Sequence, residues 1–224
     1  TGLEGNRKGT HSVNVLKNEK GSALFYLLWI ITTVIVIAVI IVNITRIYVV
    51  KQQASSAAEL SAVAATGDIL IATEEAIKEF DAEMISRLEE GEIYIPLWET
   101  ITDRVAIHQS NGHSDQEAYI KAYNEILPGS LSNPLLKGFF TVKFTVDPAL
   151  GTKMYQTVSR IVKANEGNEE HLEIKISTDT YRVEVKTDAT FESITDGKIL
   201  ARFLKDIPQE GYGPTLTYLE RVLE

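Results

Sequence analysis

From Gly21 to Thr45 the chain runs 25 residues without a charged side chain, and most of them are Leu, Ile, Val, Ala or aromatic. As a helix this run extends about 37 Å at ~1.5 Å per residue. A bilayer hydrocarbon core of roughly 30 Å needs only about 20 such residues. Tyr26 and Trp29 lie toward one end and Tyr48 just past the other, near the depths where amphipathic rings settle. A wholly buried core helix of this length needs a large protein around it, and 224 residues do not supply one. The run therefore predicts a single N-terminal transmembrane helix. Secretory apolar regions are shorter, about 7–15 residues, and end at a small-x-small site. Here the first good Ala-x-Ala pattern, Ala62-Val63-Ala64, lies well beyond the run, so the segment is expected to persist as an anchor.

Charge sets the expected orientation. Arg7, Lys8, Lys17 and Lys20 outweigh Glu4 and Glu19 before the run, a balance of +2. From Lys51 onward 17 basic residues face 29 acidic ones, a balance of −12. Basic residues beside a span favour the cytoplasm. The expected location is the cell membrane, single-pass, with the N-terminus cytoplasmic and the C-terminal domain extracellular. The acidity of the outer part argues against nucleic acid as its partner. The chain has no cysteine, which says little about compartment.

Helical patterning continues past the apolar run. Residues 52–65 contain no Pro or Gly, and Ala54, Ala58, Ser61, Ala62 and Ala65 recur at helical spacing to make one smooth face. Small side chains let a second element approach closely. An Ala-rich helix also gains little from burial unless something packs on it, so these five residues are predicted to be a helix-packing interface. Gly67 offers a hinge. Beyond it Ile77, Phe80, Met84 and Leu88 form an apolar stripe with acids opposite, and Gly91 is the expected C-cap. The predicted organisation is a cytoplasmic segment at 1–20, a span at 21–50, a stalk helix at 51–91 and an outer domain at 92–224.

Lys20-Gly-Ser-Ala opens the apolar run, Arg46-Ile47-Tyr48 closes it, and Gln53 through Ala65 follow as a Gln-x-x-Ala-rich helix. This sequence of features resembles the tight-adherence pilus-assembly proteins of TadE/TadG type, over roughly residues 19–67. The resemblance implies a non-enzymatic, pseudopilin-like structural or assembly component of a surface pilus or secretion-type appendage. It also implies Arg46 and Tyr48 as a membrane-exit motif. The partners it implies are the lipid bilayer and other subunits, or further copies of the chain, met through the N-terminal helix. Two positions depart from the family pattern. Asn43 stands where an Asp is common, and Tyr26 stands where a processed prepilin carries Glu. The second departure predicts that the N-terminal segment stays attached.

The remainder reads as mixed α+β. Pro96 opens a helix carrying Leu97, Ile101 and Val105. Ser114-Asp-Gln-Glu117 is a capping-box pattern ahead of Tyr119, Tyr123, Ile126 and Leu127, with Pro128-Gly129 expected to break that helix. Strict alternation predicts strands at 140–146, 172–176 and 181–185, the last two joined as a hairpin through Ser177–Thr180. A helix is expected from Pro148 to Lys163, with Leu150, Met154, Val158 and Ile161 inward. Residues 199–204 suit a strand or one helical turn, and 215–223 a short amphipathic helix.

Chemistry is sparse. Asp103, His108, His113 and Asp115 are close in sequence but match no zinc spacing. There is no Gly-rich phosphate loop, no Gly-x-Ser-x-Gly elbow and no Cys-based motif. Clustered glutamates at 89, 90 and 92, and at 166, 169 and 170, read as solvated faces. Neither an enzyme nor a cofactor or metal site is expected. The alternative to an appendage subunit is a membrane-tethered binding or sensor domain, for which the Ala-rich helix is only a spacer.

Overall fold

The computed structural model describes residues 19–89, 92–165, 167–190 and 206–223. In chain order the elements are α1 (Glu19–Ser86), α2 (Leu97–Ser110), α3 (Asp115–Ser130), α4 (Pro134–Thr141), a π-helical segment (Val142–Val146), α5 (Ala149–Ala164), β1 (Asn168–Ile176), β2 (Val183–Thr190), β3 (Asp206–Tyr212), a 3-10 turn (Thr217–Leu219) and α6 (Glu220–Leu223). The chain divides into two compact units, Thr1–Arg46 and Ile47–Glu224. The fold is α+β and mostly helical.

In the first unit the described side chains of α1 are largely outward-facing and apolar, from Leu24 and Phe25 through Ile40 and Ile41. In the second unit α1 carries one continuous inward stripe. Ala54, Ala58, Ala62 and Ala65 begin it, and Ile69, Ala76, Ile77 and Phe80 complete it, all 5% exposed or less. The i, i+3/i+4, i+7 spacing puts these residues on a single face. Where the stripe is built of Ile and Phe, α2–α5 pack against it through Ile101, Val105, Tyr123, Leu127, Leu136, Phe140, Met154 and Val158. Phe80 meets Phe139 edge to face at 6.5 Å, and Tyr218 packs on Tyr123 and Phe140 at 6.0 and 6.3 Å.

The sheet is antiparallel in the order β1-β2-β3. Ile174 faces Val185 and Ile176 faces Val183 across the predicted hairpin, with an irregularity between Asn168 and Glu173. Val183 and Val185 turn inward, as the pleat requires of alternate residues. The hairpin tightens at Tyr181, whose φ is 50°. Its N–H donates to Ser177 O at 2.9 Å, and its carbonyl accepts from Leu216 N–H at 2.7 Å.

Several sequence expectations hold and others need correction. The capping box at Ser114 and Glu117 is formed. Helix α5 buries Met154 and Val158 as expected, and Val162 in addition. The predicted strand at 140–146 is instead the end of α4 followed by the π-helical segment. Period-2 alternation and a four-residue helical step coincide at Leu136, Phe140 and Phe144, so the pattern was ambiguous. Asn133 decides the outcome by accepting from Leu135 N–H at 2.9 Å, with Pro134 starting the helix. Phe140 then stacks on Phe144 at 5.8 Å, while Val142 and Val146 point outward. Pro128 does not end α3, which runs to Ser130. In a last turn, a proline removes only one hydrogen bond, and Leu131 N–H still reaches Leu127 O at 2.8 Å. Helix α1 ends at Ser86, so Leu88 lies beyond it. The predicted Gly91 cap and the element at 199–204 fall outside the described residues.

Candidate functional site

Two features of α1 bear on function. The first is the apolar run. Its polar side chains turn back on the helix: Thr32, Thr33 and Thr45 donate Oγ1 to Leu28, Trp29 and Ile41 carbonyls, each at 2.9 Å. Asn43 Nδ2 donates to Val39 O at 3.0 Å. A helix satisfies its own backbone groups, and with these side chains also bonded the run suits hydrocarbon. Among the described residues one helix is long and apolar enough to cross a membrane. Arg46 and Tyr48 both lie on α1 with exposed side chains.

The second feature is the small-residue face. Ala54, Ala58, Ser61, Ala62 and Ala65 come together as one patch with no exposed surface. At Ala58 and Ala62 the patch meets the chain's own β3 and the turn after it. A Cβ placed on Gly211 would fall inside the backbone of Ala58 and Glu59. One placed on Gly213 would collide with Thr66 Oγ1 and lie 3.1 Å from Ala62 O. Glycine against alanine lets strand and helix backbones meet directly. Sequence reasoning assigned this face to packing against other subunits or copies and did not anticipate β3. The available signal was the pair Gly211 and Gly213 flanking Tyr212, which brings backbone without side chains to one surface.

Two polar nodes fix the rest. Asp81 is 5% exposed and accepts from Tyr94 OH at 2.5 Å, Leu97 N–H at 2.9 Å and Trp98 N–H at 2.8 Å. It thereby caps α2, whose own N-cap, Pro96, offers no side-chain acceptor. Burial, then the Asp81 carboxylate, push the Tyr94 phenol well above its ordinary range. Sequence reasoning gave Asp81 no role; a helix beginning at Pro-Leu without Ser, Thr, Asp or Asn was the clue to an acceptor from elsewhere. The second node is Thr73 Oγ1, which bonds Ile69 O at 2.9 Å and lies 2.7 Å from Tyr218 OH. Burial raises the Tyr218 phenol strongly. Both tyrosines are neutral structural donors.

The four residues considered as a metal set do not converge. His108 Nε2 lies 3.0 Å from Glu125 Oε1, and Asp115 accepts from Gln109. His113 faces Lys121 Nζ at 3.0 Å, a cation where a metal would sit. Among the described residues no group of three or more His, Asp or Glu side chains is arranged to hold a metal ion.

No curated protein and no solved structure matches this chain. Residues 21–68, spanning the apolar run, the Arg46-Ile47-Tyr48 exit and the small-residue face, match the Tad family, described as putative Flp pilus-assembly TadE/G-like.

Proposed function

We propose that this protein is a membrane-anchored, non-enzymatic structural or assembly component of a surface pilus or secretion-type appendage, pseudopilin-like in organisation. The family match supports a pilus-assembly-related role. The observation that carries the reading is its extent: it begins at Gly21 with the charge-free run and ends at Asp68. The matched segment thus contains both the candidate span and the helix on which the second unit is built.

In this reading residues 21–50 anchor the chain, Thr1–Lys20 stays cytoplasmic and the acidic part from Lys51 onward lies outside. Contacts with other subunits run through α1. Gly211 and Gly213 lie against Ala58 and Ala62, which supports a reading in which those contacts fall on the outward-facing apolar side chains of the span. Tyr26 stands where a processed prepilin carries glutamate, in keeping with an anchor that is not processed.

Purification from native membranes followed by mass spectrometry tests the assignment. Co-isolation of other pilus-assembly subunits is the expected result, and their consistent absence under mild detergent refutes it. Protease added to intact cells stripped of their wall should degrade the part beyond Lys51; full protection refutes the orientation.

A further inference from the structure

Residues 92–95 lead from the turn after α1 into α2, and the segment is held at both ends. Glu92 N–H donates to Glu89 O at 3.2 Å. Tyr94 turns inward to place its OH on the Asp81 carboxylate at 2.5 Å, and Asp81 also takes the Leu97 and Trp98 N–H groups. The residues on either side of Tyr94 do the opposite: Ile93 is 93% exposed and Ile95 69%. This out-in-out alternation is that of an extended strand, and Pro96 confines Ile95 to extended backbone. A single isoleucine in water needs no explanation. Two on one side of a pinned segment make an apolar edge that cannot fold away.

The main chain of this edge is unpaired as well. Among the described residues, Ile93, Tyr94 and Ile95 make no main-chain hydrogen bond. Alternate residues of an extended segment direct N–H and C=O to the same side. Ile93 and Ile95 therefore offer the donor and acceptor set of a sheet edge, which a further strand can satisfy.

Charge selects the strand. Glu89, Glu92 and Glu99 are exposed and have no ion pair among the described residues. Arg87 and Arg104, the basic side chains nearest on either side in sequence, are engaged with Glu83 at 2.6 Å and Glu125 at 3.5 Å. A second copy of the chain brings the same acids and a net charge of −9, so like charges oppose self-pairing. A segment with apolar side chains at alternate positions and Lys or Arg at its ends is complementary in both respects. We propose that residues 92–95 are a docking edge for such a segment of another protein, which adds to Ile93 and Ile95 as an extended strand. The site is independent of the appendage reading.

The test is fluorescence anisotropy of a labelled peptide, acetyl-Lys-Val-Thr-Val-Thr-Val-Lys-amide, titrated with the full chain in nanodiscs of zwitterionic lipid. Directly opposite residues share a face and exchange the hydrogen bonds, so valines that meet Ile93 and Ile95 supply the partner N–H groups. Saturable binding is expected. The same peptide N-methylated at its valines, or with Glu in place of Lys, should bind about tenfold more weakly or worse. Ile93→Asp alters a side chain that packs on nothing, so the fold is kept, and it should also weaken binding by about tenfold or more. Val146→Asp, at an exposed apolar position elsewhere, should leave it unchanged. The absence of saturable binding, equal binding of the N-methylated peptide, or unchanged affinity in Ile93→Asp overturns the proposal. Self-association of the chain that Ile93→Asp abolishes, without peptide binding, also overturns it and makes a second copy the occupant.

Discussion

Gly211→Ala is the sharpest perturbation of the contact between α1 and β3. The added methyl would fall inside the carbonyl carbon and oxygen of Ala58 and the amide nitrogen of Glu59. All three are backbone atoms, so no rotamer change makes room. Carbon atoms pack at about 3.5–4.0 Å, and restoring that spacing requires strand and helix to separate. Gly211 is paired with Val185 of β2, so a shift of β3 also strains the ladder and unseats Val185 from the core. Overpacking alone costs about 1–3 kcal/mol and occasionally more; with the ladder disturbed the expected loss is about 3 kcal/mol or above. For a unit of this size each kcal/mol shifts Tm by roughly 2–4 °C, so a fall of about 6–12 °C is expected. Near-UV circular dichroism of the full chain in nanodiscs reports the second unit, where the core aromatics lie. Two glycines serve as internal controls. Gly151 lies within α5 with nothing within 4 Å of its would-be Cβ, so Gly151→Ala should stabilise by about 0.5–1 kcal/mol. Gly112 has φ +88° and open space around it, so Gly112→Ala should cost about 1–2 kcal/mol from backbone conformation alone. A Gly211→Ala melting curve within the spread of these two refutes the direct backbone contact.

Asp81→Ala should destabilise by about 2–4 kcal/mol, because it strips the cap from α2 and leaves the Tyr94 hydroxyl and two N–H groups to find water; a loss under about 1 kcal/mol in denaturant titration refutes the capping role. Ser61 Oγ is buried without a hydrogen-bond partner among the described residues, so Ser61→Ala should be neutral or stabilise by up to about 1 kcal/mol, whereas Ala58→Leu at the same patch should destabilise by about 1–3 kcal/mol. Hydrogen bonds from the Ser114 backbone and then its hydroxyl hold the Glu117 carboxyl below the usual carboxylate range. A lowered folded-state value gives stability that is fully present above the ordinary glutamate range and is lost as pH falls through the lowered value. Glu117→Gln, which removes the titrating carboxyl, should therefore flatten the acid limb of the stability curve, and an unchanged limb would show that Glu117 contributes nothing there.

What the sequence determined by itself was local. A charge-free run of 25 residues defines a membrane-competent helix because length and side-chain polarity alone decide transfer into hydrocarbon. The capping box at Ser114 and Glu117 depends on residues three apart, and the hairpin through Ser177–Thr180 on two alternating segments and a short turn. The smooth face of Ala54, Ala58, Ser61, Ala62 and Ala65 was equally plain, since helical spacing places those residues together whatever surrounds them. Tertiary structure decided which surface would cover that face. Gly211 lies some 150 positions away in the sequence, and nothing within α1 selects a strand over a second helix. The same holds for Asp81, whose role appears only when Pro96 starts a helix lacking its own cap. At Phe140 and Phe144 local periodicity was ambiguous between strand and helix, and the Asn133 cap together with packing against Tyr218 resolved it. Periodicity along one chain assigns residues to a face; the identity of what packs on that face is a property of distant segments, fixed only when their surfaces compete for burial.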